Sequence, residues 1–208
     1  KRSDGYIGVL IDDIVTKGTL EPYRMMTSRA EYRLYLRQDN ADLRLTPIGR
    51  QVGLVDDKRW KIFLKKKKDL EKIFEVLKQK YKVEKVAQLF TENGESLPKE
   101  SITIKEMLKR NGIDAFKINE KLGCFKGFSF EVISEMNISV KYEGYLKQQE
   151  DEIEKFKKNE SLLIPADFDY KKYHGLRLEA QEKLSQILPL NIGQASRVSG
   201  VSRADIAV

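Results

Sequence analysis

Five arginines stand between Glu21 and Leu45: Arg24, Arg29, Arg33, Arg37 and Arg44. A guanidinium is a planar fork of donors that matches phosphate oxygens. Arg29, Arg33 and Arg37 lie four residues apart, so a helix opened by Ser28-x-x-Glu31 would line them up as one cationic ridge. Tyr23, Tyr32 and Tyr35 interleave with them, and aromatic faces beside guanidinium groups suit exposed bases. Such a groove would hold a polyanion and release it as salt rises. The same spacing also suits a solvated face on which Arg33 and Arg37 pair with Glu31, Asp39 and Asp42. On spacing alone the solvated face is the commoner outcome. Lys65, Lys66, Lys67 and Lys68 form a second cationic feature. A charge run is usually plain solvent face, but it could add phosphate attraction within a Debye length of ~8 Å.

Other constellations are sparse. No G-x-G-x-x-G or G-x-x-x-x-G-K-[ST] loop is present to cradle a nucleotide phosphate. His174 is the only histidine and Cys124 the only cysteine, too few for the usual His/Cys metal site. A lone cysteine between Gly123 and Phe125 reads as a small buried hydrophobe. Asp12 and Asp13 are adjacent carboxylates, and on a strand they would point to opposite faces. Asn191 to Val208 has the silhouette of a helix-turn-helix, a pattern also common in plain helical bundles. These residues contain no catalytic, cofactor or metal set.

The elements that must position the cations can be read from composition and period. The chain has 208 residues, 40% hydrophobic and 34% charged, with net charge +7. That allows one large domain or two small ones and favours an anionic partner. Residues 61–90 hold ten basic and four acidic side chains, whereas eight of the twelve arginines lie in residues 1–60. A single cysteine suits a reducing compartment. No apolar run approaches a membrane span, so a cytoplasmic location is expected.

Residues 1–27 read as extended or loop, with a strand at 6–11. Asn40 can cap a turn, and Thr46-Pro47 can open a short helix over Ile48–Val52. Asp56 or Asp57 starts a long helix to about Lys80, with Trp60, Phe63, Leu64, Leu70, Phe74, Leu77 and Tyr81 as its apolar stripe and Lys67 intruding on that stripe. Thr103-x-x-Glu106 is a capping box for 104–111. Further helices are expected at 114–122 before Gly123, 129–136, 143–162, 178–188 before Pro189, and 191–199, with extended chain at 137–141. Ser202-x-x-Asp205 caps a last helix. That cap stands close to the chain end, and no Met opens the chain. Both ends therefore read as cuts from a longer protein.

Several segments together carry a resemblance. They are Tyr6-Ile-Gly-Val-Leu-Ile-Asp-Asp-Ile-Val-Thr-Lys-Gly, the run from Glu21 to Leu45, Gly53-Leu-Val-Asp-Asp-Lys-Arg-Trp, Lys141-Tyr-Glu-Gly-Tyr and Ile192-Gly-Gln-Ala-Ser-Arg-Val-Ser-Gly-Val. In order they closely resemble the C-terminal third of the MnmG (GidA) family of tRNA uridine 5-carboxymethylaminomethyl modification enzymes. The resemblance implies an FAD- and NADH-dependent parent, a homodimer that modifies the wobble uridine of tRNA with the GTPase MnmE. The flavin and nicotinamide motifs would lie N-terminal to this non-catalytic fragment. It implies tRNA contact by Arg24, Arg29, Arg33, Arg37 and Arg44, aided by Lys65 to Lys68. It implies MnmE contact around Tyr142, Tyr145, Gln194, Arg197, Gly200 and Val201. Arg177 departs from the family's usual Ser or Thr before the helix at Leu178, which removes a cap. The alternatives are a helix-turn-helix DNA-binding protein and a pure protein-interaction module. The expected fold is mainly α: a helical bundle with a short extended N-terminal segment and a small C-terminal helical subdomain. The expected divisions are 1–55, packing on the absent flavin domain, 56–164, and 165–208.

Overall fold

The computed structural model describes residues 1–19 and 21–208. The chain is mainly α. In order its helices are α1 (Tyr6–Lys17), α2 (Ala41–Gln51), α3 (Asp57–Val76), α4 (Val83–Glu92), α5 (Ile104–Leu108) and α6 (Ala115–Leu122). They continue with α7 (Phe130–Lys141), α8 (Glu143–Ser161), α9 (Leu178–Ile187), α10 (Ile192–Ala195) and α11 (Arg203–Ala207). Two compact units are present: Arg37–Leu146, and Lys1–Leu36 together with Lys147–Val208.

In the unit Arg37–Leu146 the caps that the sequence offers close their helices. The Asp56 carboxylate accepts from the Arg59 N–H at 2.7 Å. Thr103 and Glu106 exchange both bonds of a capping box. Asp114 accepts from the N–H groups of Phe116 and Lys117, each at 2.9 Å. Gly123 ends α6 in the left-handed region at φ 64°, where a Cβ is unfavourable. The core gathers Ile73, Phe90, Met107, Ile118, Phe125 and Met136, all essentially inaccessible to water.

Four expectations change here. The buried face of α3 is Phe63, Leu70 and Ile73, continued by Leu77, whereas Leu64 and Phe74 are exposed. The face is turned from the expected stripe, and Lys66 rather than Lys67 leans toward the bundle. Helix α3 stops at Val76 because the carbonyls that follow serve another element: Ile104 and Lys105 N–H donate to the Gln79 and Leu77 carbonyls. The next residues form a small antiparallel ladder, β1 (Lys80–Tyr81) with β2 (Ile102–Thr103), pairing Lys80 with Thr103 and Tyr81 with Ile102. Residues 137–141 are not extended. They continue α7, since Met136 and Val140 are buried one turn apart and Lys141 Nζ donates to the Arg110 and Ile113 carbonyls at 2.8 and 2.6 Å. Similarly α2 starts at Ala41, not Thr46, and runs through Pro47. Proline inside a helix costs about 3 kcal/mol. The first turn is held against that cost by Arg44, which donates to Asn40 Oδ1 and the Arg37 carbonyl, and by Lys66 paired with Asp42 at 2.8 Å.

The second unit joins two distant stretches of chain. Its N-terminal piece departs most from expectation: residues 6–11 belong to α1, not to a strand. The cause is Arg2, whose side chain is 2% exposed. Its guanidinium donates to Asp13 at 2.7 Å, Asp12 at 3.1 Å and Glu31 at 2.6 Å, and to the Val9 and Arg29 carbonyls. Consecutive residues on a helix can both reach one cation; on a strand they diverge. Gly8 is required, because a Cβ there would overlap the Lys1 carbonyl. Tyr32, Leu36 and Ile153 form a small core joined by Phe156. The Tyr32 and Phe156 rings meet edge to face at 6.1 Å.

Toward the C-terminus, Tyr170, Leu184, Ala195 and Val198 make a separate small core. Asn191 Oδ1 caps α10 by accepting from the Gln194 N–H at 2.8 Å, and Ser202 with Asp205 caps α11. Gly193 lets α10 approach α8, since a Cβ would press on Glu160.

Arg2→Ala is expected to destabilise the chain by about 3 kcal/mol or more, because it removes the buried cation that Asp12, Asp13 and Glu31 share. Lys1→Ala, at an exposed position, should stay within about 0.5 kcal/mol. Urea unfolding of the two variants checks the difference.

Candidate nucleic-acid interface

The structure sorts the five arginines into three groups. Arg24 and Arg33 are exposed, and among the described residues no carboxylate pairs with either. Arg29 is exposed but lies over the Tyr23 ring at 4.8 Å, with Asp13 3.9 Å away. Arg37 and Arg44 are engaged internally. Arg37 Nε donates to Asp39 at 3.0 Å and its NH2 group to Glu135 at 3.1 Å, while Arg44 braces the first turn of α2. The pairing of Arg37 with Asp39 is the one the solvated-face reading anticipates. Glu31 goes to Arg2 and Asp42 to Lys66 instead.

The helical arginine ridge does not form. Ser28 and Arg29 sit in a single 3-10 turn, Thr27–Arg29, and residues 31–36 are turns. Arg29 and Arg33 belong to one compact unit and Arg37 and Arg44 to the other. The interleaved tyrosines are largely committed as well. Tyr23 Oη donates to Asp13 at 2.6 Å, and Tyr32 is buried against Phe156. Of the lysine run, Lys65, Lys67 and Lys68 are exposed and Lys66 is half-buried on Asp42.

Glu135 is buried beside Arg37 and holds its proton more tightly than an ordinary carboxyl. Desolvation by burial pushes its pKa up, to about 7, and the neighbouring Asp39 carboxylate pushes the same way against Arg37. Burial likewise raises the Cys124 thiol, to about 11, as fits a packed side chain rather than a nucleophile.

The residues expected at a protein partner also divide. Tyr142 and Tyr145 are exposed, their rings tilted at 6.5 Å. Gln194, Arg197, Gly200 and Val201 have internal roles. Gln194 Oε1 accepts from the Leu190 N–H at 2.8 Å. Arg197 pairs with Asp12 at 2.9 Å and Glu160 at 3.2 Å and covers the Phe156 ring at 5.0 Å. Gly200 turns at φ 91°, and Val201 packs on the C-terminal core. At this end α10 has four residues, about 6 Å of helix, and α11 opens at Arg203 under the Ser202–Asp205 cap.

Comparison with known proteins accounts for most of this architecture. Residues 57–150 match the model of the "tRNA modifying enzyme MnmG/GidA C-terminal helical domain", and residues 152–208 that of the "tRNA modifying enzyme MnmG/GidA C-terminal helical bundle". The chain belongs to the C-terminal region of the MnmG/GidA family. It is 52% identical over 210 residues to the tRNA uridine 5-carboxymethylaminomethyl modification enzyme MnmG of Clostridium botulinum (strain Hall), covering 100% of this chain and 34% of that protein. MnmG of Caldicellulosiruptor saccharolyticus is 52% identical over 209 residues, with 33% of its length covered. Among solved structures, Aquifex aeolicus GidA in its form II crystal superposes with a TM-score of 0.77 at 38% identity, over 99% of this chain and 32% of that one. The chain thus spans about a third of the length of the MnmG relatives it matches.

Within the MnmG/GidA C-terminal region, Arg177 stands at the N-cap of α9. It makes no side-chain cap on α9. Instead its guanidinium grips Asp205 at 3.0 and 2.6 Å and the Gly200 carbonyl at 3.1 Å, tying α9 to α11. Arg177, with help from Ser202, holds the Asp205 carboxyl well below the usual range.

A pH dependence follows from Glu135. Its folded pKa lies above the unfolded value, so the folded state binds the extra proton between the two. Its contribution to stability is therefore present below about pH 4.5 and lost as pH rises through about 7. Glu135→Gln should flatten that slope and raise stability above pH 7 relative to the parent chain. Thermal unfolding followed from about pH 5 to about pH 8 measures it.

Proposed function

We propose that this chain is the tRNA- and partner-contacting C-terminal part of a flavin-dependent enzyme that installs the carboxymethylaminomethyl group on the wobble uridine of tRNA. The observation that carries the reading is the exposure of Arg24 and Arg33 within a chain whose whole length is matched by tRNA-modifying MnmG relatives. With no carboxylate paired to them among the described residues, these two forks are open to phosphate. Arg29 is the auxiliary member, and Arg37 and Arg44 act as braces.

The described residues do not fit FAD or NADH. The only strands among them are the two-residue β1 and β2, antiparallel, and no glycine-rich loop leads from a strand into a helix. The flavin and nicotinamide motifs that the family resemblance implies would lie in the part of the parent outside this chain. Helix α1 supports that division. Ile7, Ile11, Ile14 and Val15 are exposed along one side of it. Apolar side chains recurring on one helical face call for a cover, and the remaining two-thirds of the parent polypeptide supplies it. The exposed Tyr142 and Tyr145 pair is the part of the expected partner surface open to the GTPase MnmE. Aromatic anchors of this kind are common where proteins meet.

Titration of labelled tRNA with the 208-residue chain tests the reading. Arg24→Ala with Arg33→Ala should weaken binding and lower the slope of log K against log salt by about 1.4 to 1.8, the share of two phosphates no longer neutralised. Arg37→Ala should mainly lower the unfolding midpoint. Unchanged affinity and slope in the double variant would remove the arginine assignment.

A further inference from the structure

Helix α3 presents a feature that the run Lys65 to Lys68 conceals. Lys58, Lys61, Lys65, Lys68 and Lys72 recur at spacings of three and four. At 100° per residue they fall within roughly 80° of one another, and the ridge they form is about 21 Å long. All five are exposed, and among the described residues none is engaged in an ion pair. The ridge lies on the side of α3 away from Phe63, Leu70 and Ile73. Carboxylates near it are few: Asp57 is held by Arg50, Glu75 by Lys78, Asp69 is half-buried, and Glu71 falls outside the ridge's arc. Like charges three and four residues apart destabilise a helix. A bound polyanion removes that repulsion.

The chemistry of the ridge selects among polyanions. A helix that lies on a membrane must turn a continuous apolar face to the lipid; the face of α3 with Phe63, Leu70 and Ile73 is buried, and the exposed Ile62, Leu64 and Phe74 are scattered outside the ridge's arc rather than joined in one face. Single strands held by base stacking need aromatic rings beside the cations, and the ridge positions are all lysine. Ammonium groups are point charges without a fork that fixes register. They suit a regular row of phosphates contacted by charge alone, which positions a nucleic acid without reading it.

We infer that Lys58, Lys61, Lys65, Lys68 and Lys72 of α3 form a second RNA-contacting edge, which lies along the phosphate backbone of folded tRNA and holds it independently of sequence. The inference rests on the tRNA-binding reading above and adds Lys58, Lys61 and Lys72 to it, while setting Lys66 aside.

The test uses the 208-residue chain, labelled tRNA and a salt series. A ridge variant carries Lys61→Gln, Lys65→Gln and Lys68→Gln. A control with the same charge loss carries Lys80→Gln, Lys82→Gln and Lys85→Gln, all exposed and off the ridge. Circular dichroism verifies that each keeps its helix. The ridge variant should lose about 2 to 3 from the salt slope, at about 0.7 to 0.9 per neutralised phosphate, and the control less than about 1. Affinity for an unrelated base-paired RNA should fall by the same factor as for tRNA. If the parent chain binds tRNA and the ridge and control variants change its slope equally, or neither changes it, the ridge is overturned while the tRNA reading stands. If the parent chain binds no tRNA, the reading itself fails and takes the ridge with it. Ridge-dependent binding to phosphatidylglycerol vesicles, with tRNA binding unaffected by the same variant, would assign the ridge to lipid and overturn the RNA edge.

Discussion

The guanidinium of Arg2 is surrounded by Asp12, Asp13 and Glu31 and is almost closed to water. An isolated charge in such a place would be strongly unfavourable; three carboxylates and two carbonyls compensate it. That requirement shapes its surroundings. It makes α1 a helix, so that neighbouring aspartates reach one cation. It also draws the turn at Arg29–Glu31 against α1. Asp12 also meets Arg197, which in turn holds Glu160. Through this chain of charges the segment Lys1–Leu36 and the segment Lys147–Val208 become one unit. Its apolar cores are small, so ionic and aromatic contacts have an unusually large share in joining it.

The unit Arg37–Leu146 is organised differently. Its continuous apolar core orients α3 and carries α7 past the point where local preference would have ended it. Charge enters at the edge of that core, where Arg37, Asp39 and Glu135 share a partly buried site and Lys66 reaches Asp42. The cations there brace helices. Those on the outer side of α3 pair with no carboxylate among the described residues, and this difference separates bracing from outward-facing charge more clearly than residue type does.

The same separation applies to arginine. Arg2, Arg37, Arg44, Arg177 and Arg197 all use the planar fork to bridge two or more internal acceptors. Guanidinium is well suited to that role because it pairs in fixed geometry and resists deprotonation. An arginine-rich segment is consequently a poor guide to a polyanion site until its internal acceptors are known. Arg24 and Arg33 remain outward because the described chain brings no carboxylate to pair with them, a fact of the fold rather than of spacing.

Helix ends were legible along the chain because their chemistry is local. Asp56, Thr103 with Glu106, Asp114, Ser129, Asn191 and Ser202 with Asp205 cap the helices they precede, since a cap bonds to an N–H only two or three residues away. Gly123 ends α6 for the same local reason, and the family segments identify the region because they are long and ordered. The mainly α fold and helices such as α6, α8 and α9 were legible from period and punctuation as well; the remaining features waited on the folded chain. Folding made α1 a helix, started α2 before Pro47, turned the buried face of α3, sent Lys66 inward, divided Arg29 and Arg33 from Arg37 and Arg44, and enclosed Arg197. In each case the deciding partner is distant in sequence or lies on another element, as Arg2 does for Glu31 and Arg37 for Glu135. Periodicity records the spacing of side chains along one element but not which acceptors the tertiary structure brings to meet them.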